Sequence, residues 1–354
     1  MPDPVAVAGA PAPSGIPSGT TGRQMPDSSR VSVVVVNRNG GGHLARCLGC
    51  LAGQEVRPAR ILVVDNGSTD DSLASARQVV AEDGRLGARV TFHEAGCNLG
   101  FAAANNLAVG MCDSEFVALL NPDAFPEPGW LAALLTAAEG HPEAAAFGSR
   151  QMLEGRPGVL DGVGDVYHVS GLSWRDGHGC RIGPGDLLDR EIFSACAAAA
   201  LYRRAAFLEA SGFDEDFFCY FEDVDLGFRL RLLGYRARNV SSAVVAHVGG
   251  AAAGKESADF AVYYGHRNLV WCLFKNMPAA LLPPALLAHF GQSIVVGIAL
   301  VLRGRARGFV KAKWHAVEGL PKCWRKRKAV QAQRRIPATA IWKMLRVSPL
   351  RRRS

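Results

Sequence analysis

Neither G-x-G-x-x-G nor G-x-x-x-x-G-K-[ST] occurs in this chain, so the dinucleotide and P-loop routes to phosphate binding have no support. G-x-S-x-G and H-E-x-x-H are absent too, which removes nucleophile-elbow hydrolases and zincins. The nine cysteines follow no pairing logic. Cys47 and Cys50 make a lone C-x-x-C inside a helical pattern, with no second pair for zinc and no thioredoxin-like context. They read as small core hydrophobes in a reducing cytoplasm. Residues 1–30, rich in Pro, Gly, Ser and Ala, lack the apolar stretch of a signal peptide and read as a disordered leader. Acids are scarce at the other end. From Arg303 to Ser354 there are 17 Lys+Arg and one acid, Glu318, a net +16 that leaves −8 for residues 1–302. An acidic body is not the footprint of a core that binds nucleic acid.

What is present is a series of short apolar runs. Val31–Val36, Ile61–Val64, Val90–His93, Phe116–Leu120 and Ala144–Gly148 read as buried strands. Helical stretches at 43–52, 101–111 and 130–139 lie between them, and Ser68, Thr69 or Asp70 can cap one more. Strands alternating with helices predict an α/β fold, with a parallel sheet covered on both faces. Ligands in such folds bind beyond the carboxyl ends of the strands. Three strand ends here carry Arg38, Asp65 and Asp123. Residues 151–190, rich in Gly and Asp, read as an irregular, partly mobile segment near the site. A helix opens at Phe221-Glu222-Asp223-Val224-Asp225, with Gly234 as its C′ residue, and 243–246 is a strand ending on His247.

Each polar position has two readings. Asp123 in Asn121-Pro122-Asp123 either caps the next helix or ligates a divalent ion on a diphosphate, where few protein carboxylates are needed. Glu222, Asp223 and Asp225 either use the helix dipole or supply a general base. Arg229 and Arg231 either balance that charge or meet phosphate. His247 is either a hydrogen-bonded structural residue or a further metal ligand. Asp65 can accept the N3–H of uracil or thymine and does not separate the two.

Five stretches in order resemble family 2 glycosyltransferases, specifically their rhamnosyltransferase-like bacterial branch. They are Val31-Ser-Val-Val-Val-Val-Asn-Arg38, Val63-Val-Asp-Asn-Gly-Ser-Thr-Asp-Asp-Ser72, Asn98-Leu-Gly-Phe-Ala-Ala-Ala-Asn-Asn106, Leu119-Leu-Asn-Pro-Asp-Ala124 and Gly212–Leu226, followed by His247. The resemblance implies a GT-A fold and inversion at the anomeric carbon. It places Arg38, Asp65, Asn98, Gly100, Asn105 and Asn121 on the nucleotide. Asp123 and His247 fall on Mg2+ or Mn2+, and Asp223, beside Glu222, falls on the catalytic base. Asn121 stands where the broader family has the first aspartate of D-x-D, which weakens the charge offered to a metal. The branch favours dTDP-L-rhamnose as donor. A UDP-sugar transferase of the same fold and a non-catalytic nucleotide-sugar-binding scaffold are the alternatives.

Residues 31–275 are thus expected to form the transferase domain, with a nucleotide half at 31–150 and an acceptor half at 151–275. Residues 276–354 form a basic extension. Within it Ala285–Leu302 is an uncharged run of 18 residues that just reaches the length of a membrane span. Interfacial, spanning and buried-soluble readings compete, and His289, Gln292 and Ser293 near its middle favour the interfacial one. With the basic residues that follow, it predicts attachment to an anionic cytoplasmic leaflet, where a glycan or lipid-linked acceptor is met.

Overall fold

The computed structural model describes residues 27–249, 255–304 and 306–348; most of the expected leader lies outside them. The chain begins with β1 (Val31–Asn37), α1 (Gly42–Ala52), β2 (Arg60–Asp65), α2 (Ser72–Glu82), β3 (Val90–Glu94), α3 (Gly100–Gly110) and β4 (Phe116–Leu120). Next come β5 (Ala124–Pro126), α4 (Trp130–Gly140) and β6 (Ala144–Leu153). Short strands β7 (Leu160–Gly162), β8 (Asp165–Tyr167), β9 (Ser173–Arg175) and β10 (Arg190–Glu191) lead to β11 (Ala199–Arg203). The rest is α5 (Arg204–Glu209), α6 (Glu222–Leu232), β12 (Arg236–His247), α7 (Lys255–Asn276), α8 (Leu282–Leu302), α9 (Ala306–Glu318), α10 (Leu320–Ala332) and α11 (Ala338–Met344).

The central sheet runs β10-β12-β6-β11-β4-β1-β2-β3. It is mostly parallel, but β11 is inserted antiparallel between β4 and β6. The strand order turns back beside β1, and the crevice outside β1 and β4 is where a ligand site is expected. Alternation along β1 explains both helical layers. Val31, Val33 and Val35 pack with Leu44, Ala76 and Trp130 of α1, α2 and α4. Val34 and Val36 join Ala104, Phe207 and Leu226 of α3, α5 and α6 on the other face.

Several local expectations change. The segment 151–190 is not irregular throughout, because β6 runs on to Leu153 and β8 and β9 form a hairpin. α2 starts at Ser72 behind Asp71, which makes no side-chain cap bond; Asp70 instead accepts from the Ser72 amide at 3.2 Å. Gly234 does take the left-handed conformation past α6 (φ 93°). A third core joins Tyr167 of the hairpin and Phe228 of α6 to Leu273, Ala285, Ile341 and Leu345 of the carboxyl-terminal helices.

Candidate active site

β4 ends at Leu120, and the Asn121 amide donates to the Ala198 carbonyl (2.8 Å), fixing the Asn121–Asp123 turn against the approach to β11. β12 pairs antiparallel with β5 so that His247 lies opposite Ala124, next to Asp123. The His247 Nε2 is 3.4 Å from Asp123 Oδ1, and its Nδ1 is 2.8 Å from Asp161 Oδ2. Burial opposes an imidazolium here, but the two carboxylates outweigh it and hold the His247 pKa above its ordinary value. Burial likewise opposes the Asp123 charge, and the imidazole more than compensates, lowering the Asp123 pKa.

Opposite this pair stands the start of α6. Asp223 Oδ2 accepts the Ala197 amide (3.1 Å) and Oδ1 the Val224 amide (2.8 Å), so the carboxylate is oriented while partly open to solvent. Glu222 is almost wholly buried, and its Oε2 has no hydrogen-bond partner among the described residues. Burial first, then the Asp223 charge, pushes the Glu222 carboxyl well up from its ordinary value. Asp165 at the start of β8 is also buried and accepts from Ser194 Oγ at 2.9 Å. Burial and the Asp223 charge raise its pKa to about 8. Burial thus favours the neutral form of Glu222 and Asp165, and Asp223 is the partly exposed carboxyl of the three.

The loop that delivers this pair is strained. Phe218, Tyr220 and Phe221 all have positive φ (63°, 67° and 69°), an unfavourable conformation for large side chains. Asn268 of α7 is fully buried beside it, with Nδ2 at 2.9, 2.9 and 2.7 Å from the carbonyls of Phe217, Cys219 and Tyr220. Arg267 donates to the Asp216 and Phe217 carbonyls (2.9 and 3.0 Å). On the other side Phe218 covers Gly100 (φ 83°), where a Cβ would meet its ring at 2.5 Å.

Asn121, Asp123, Glu222, Asp223 and His247 therefore line one cleft of about 630 Å3, a size suited to a small-molecule ligand. The remaining sequence-derived positions lie along the neighbouring strand ends. Asp65 accepts from Asn37 Nδ2 (3.2 Å) and the Ser68 amide (3.1 Å), and Arg38 is exposed just past β1. Asn98 accepts from the Gly100 amide (3.0 Å) and from Asn66 Nδ2 (3.2 Å). Asn105 is buried, and its Nδ2 donates to the Phe101 carbonyl of its own helix (2.9 Å). Arg229 pairs with Asp225 at 2.8 Å and Arg231 with Glu191, so both balance charge inside the protein.

Sequence reasoning missed Asp161, Asp165, Trp174 and Arg175. Asp165, Trp174 and Arg175 line the cleft, and Asp161 orients His247 and pairs with Arg175. Their one signal was Asp161 and Asp165 flanking Gly-Val-Gly, too short to read as strand. Among the described residues no group of three His, Cys, Asp or Glu forms a ready-made metal cage. Asp123 and His247 fit instead the open type of site, in which one or two protein ligands share a divalent ion with diphosphate oxygens.

Residues 32–209, half of the chain, match the Glycosyl transferase family 2 domain. This chain is a family 2 glycosyltransferase. The transferase is 31% identical over 256 residues to an N-acetylglucosaminyl-diphospho-decaprenol L-rhamnosyltransferase of Mycobacterium tuberculosis, covering 64% of this chain and 78% of the relative. It is 32% identical over 230 residues to a pre-mycofactocin glycosyltransferase of the same organism, covering 63% of this chain and 43% of that one. In fold it is similar to the Pyrobaculum calidifontis mannosyltransferase solved with GDP-mannose and Mn2+ (TM-score 0.51, 18% identity, 90% and 88% covered). It is also similar to S. aureus TarS 1–349 solved with UDP-GlcNAc (TM-score 0.53, 17% identity, 86% and 88% covered). The sheet is that of a GT-A transferase, as the motifs implied.

Proposed function

We propose that this transferase moves L-rhamnose, with inversion, from dTDP-rhamnose to a lipid-linked, envelope-building glycan at the cytoplasmic face of the membrane. The observation that carries the reading is one oriented, partly exposed carboxylate, Asp223, lining a single cleft with the Asp123–His247 pair and flanked by Glu222 and Asp165, buried carboxyls whose pKa values are raised. The relationship to an L-rhamnosyltransferase acting on a diphospho-decaprenol supports the donor and acceptor class.

Asp65, Asn98 and Arg38 would hold the nucleotide at the β1–β2 edge, with Asn121 beside the diphosphate. Asp123 and His247 would hold Mg2+ or Mn2+, which supplies positive charge to the departing diphosphate. Asp223 takes the proton of the acceptor hydroxyl as that oxygen bonds to the anomeric carbon. The carbon–oxygen bond to the diphosphate breaks on the opposite side. One displacement gives inversion and needs no covalent intermediate. Burial favours the neutral form of Glu222 and Asp165, which leaves Asp223 as the partly exposed, oriented carboxyl of the trio.

UDP-sugar is the second donor reading, because Asp65 accepts the same N3–H from uracil. A thermal-shift panel of dTDP, UDP, GDP, CDP and ADP, each with and without Mn2+, separates them. Ligand at about 100 times its dissociation constant adds roughly 2.7 kcal/mol. The expected result is a Mn2+-dependent shift with dTDP, followed by rhamnosyl transfer to a GlcNAc-diphospho-polyprenol. A shift confined to UDP moves the donor. No shift with any nucleotide, from folded protein, moves weight to a scaffold.

A further inference from the structure

Helix α8 turns its polar side chains toward the protein and an apolar face outward. Its buried positions are Ala285, His289 and Leu300, and the half-buried face between them carries the polar Gln292 and Ser293 beside Val296 and Gly297. His289 Nδ1 is 3.0 Å from the Ser170 carbonyl, and Gln292 accepts from Ser170 Oγ. Its outward stripe is entirely apolar: Leu287, Phe290, Ile294, Ile298 and Val301 each expose half or more of their surface. Water is the wrong solvent for that face, because a soluble helix puts its apolar side inward. The exposed pattern continues on α9, where Val310, Trp314 and Val317 recur at helical spacing beside exposed Arg307 and Lys311.

The two ends of α8 decide how such a helix can meet lipid. It is 21 residues long, enough to cross a bilayer. A crossing would put α7 and α9 on opposite sides. Yet α9 packs along α7, with Tyr263 Oη 2.6 Å from His315 Nδ1. α10 returns to the catalytic body as well, where Lys326 meets Asp216 at 2.6 Å and Arg327 donates to the Phe274 carbonyl at 2.7 Å. Both ends of α8 are thus held on one side, and its polar stripe is bonded to the Ser170 turn of the β8–β9 hairpin.

We infer that α8 lies flat in one leaflet of an anionic membrane, with its Leu287–Phe290–Ile294–Ile298–Val301 stripe inserted and the cations of α9 against the phosphates. This deepens the proposed function by giving the membrane contact a face and an orientation. Charge complementarity selects an anionic lipid surface, since the exposed cations beside the apolar stripe, Arg303, Arg307 and Lys311, have one acid near them, Glu318, in a region with a net +16. The Ser170 turn that α8 holds also belongs to the hairpin bearing Asp165, Trp174 and Arg175, so docking places the cleft's acceptor side beside the lipid.

Flotation of the full chain with vesicles is the test. Wild type is expected to float with phosphatidylglycerol–phosphatidylcholine vesicles and far less with phosphatidylcholine alone. The triple variant Phe290→Ser/Ile294→Ser/Ile298→Ser should lose at least 10-fold in vesicle affinity, and Arg307→Gln/Lys311→Gln should lose the preference for phosphatidylglycerol. Trypsin added outside should cut both the body and the 303–354 tail of bound protein. A tail protected inside the vesicle overturns the flat orientation. Equal flotation of wild type and the triple variant overturns the inserted face. A concentration-dependent dimer in lipid-free solution that the triple variant abolishes gives the face to a second copy instead. Turnover on a short water-soluble GlcNAc diphosphate acceptor, unchanged in the triple variant, scores the catalytic reading separately.

Discussion

In the proposed mechanism the chemistry rests on the Asp223 carboxylate, beside two buried carboxyls whose pKa values are raised. Asn at this position keeps the shape and one acceptor oxygen, enough for the Ala197 amide, and gives up the charge and the bond to the Val224 amide. Asp223→Asn is therefore expected to bind dTDP and Mn2+ like wild type and to lose about 100- to 10,000-fold in kcat, the usual reach of a general base. Near-normal turnover would take Asp223 out of that role. Asp165 gives a second, thermodynamic handle. Its carboxyl titrates near 4 in the unfolded chain and at about 8 in the folded one. The folded chain keeps a proton that the unfolded chain has already released, so stability is full below pH ~4 and falls as pH rises toward about 8. Asp165→Asn removes that slope while its amide oxygen still accepts from Ser194. The melting temperature of the variant should gain on wild type steadily between roughly pH 5 and pH 8. Parallel curves would mean that Asp165 is ionised in the folded state.

Among the elements, legibility tracked length and locality. β1 and β2 were readable because β-branched runs such as Val33–Val36 favour strand, and β4 because its short apolar run stops at Asn121-Pro122; their ends carried Arg38, Asp65 and Asn121–Asp123. The β8–β9 hairpin was not, because three-residue strands among Gly and Asp have no period to detect. The antiparallel insertion of β11 is a tertiary fact with no local signature. Asn105 has a partner the motif did not foretell, the Phe101 carbonyl, because a motif fixes a position on α3 but not the helical face it occupies. Asn268 was invisible in the sequence because its partners are backbone carbonyls some 50 residues away. Its role can nevertheless be measured. Asn268→Asp has the same shape but donates nothing to the carbonyls of Phe217, Cys219 and Tyr220. The left-handed loop should relax and carry Asp223 out of register, with kcat falling about 100-fold, as small misplacements do, and dTDP affinity nearly unchanged. Asn276→Ala is the control, a fully buried amide of the same helix that binds Asp225 rather than the loop. It should lower the melting temperature and leave kcat. An equal kcat loss in both variants would reduce Asn268 to a merely structural residue.

Over the whole molecule, a boundary near 275 separates a catalytic domain from a tail by composition, but packing crosses it. Tyr167, Phe228 and Leu273 share one core with Ala285, Ile341 and Leu345. Lys326 of α10 reaches Asp214 and Asp216 at the foot of the loop that precedes Glu222. The buried Arg327 satisfies the last carbonyls of α7, at Phe274 and, beyond it, Met277 (2.7 and 2.6 Å). Ending the chain after Gly304 would expose that core, leave those carbonyls without Arg327 and Asp216 without Lys322 and Lys326, and leave Asp214 with Lys275 alone. Ile341 and Leu345 alone account for about 1.5–3 kcal/mol each of lost burial, a large share of the stability of a typical domain. The shortened chain should melt well over ~10 °C lower or fail to fold. Whatever folds should have lost more kcat than dTDP affinity, because α10 braces α7, and α7 holds the loop under Asp223. An unchanged melting curve and kcat would make the extension an appended membrane anchor, whereas the predicted joint loss would mean that the part that meets the lipid also holds the base in place.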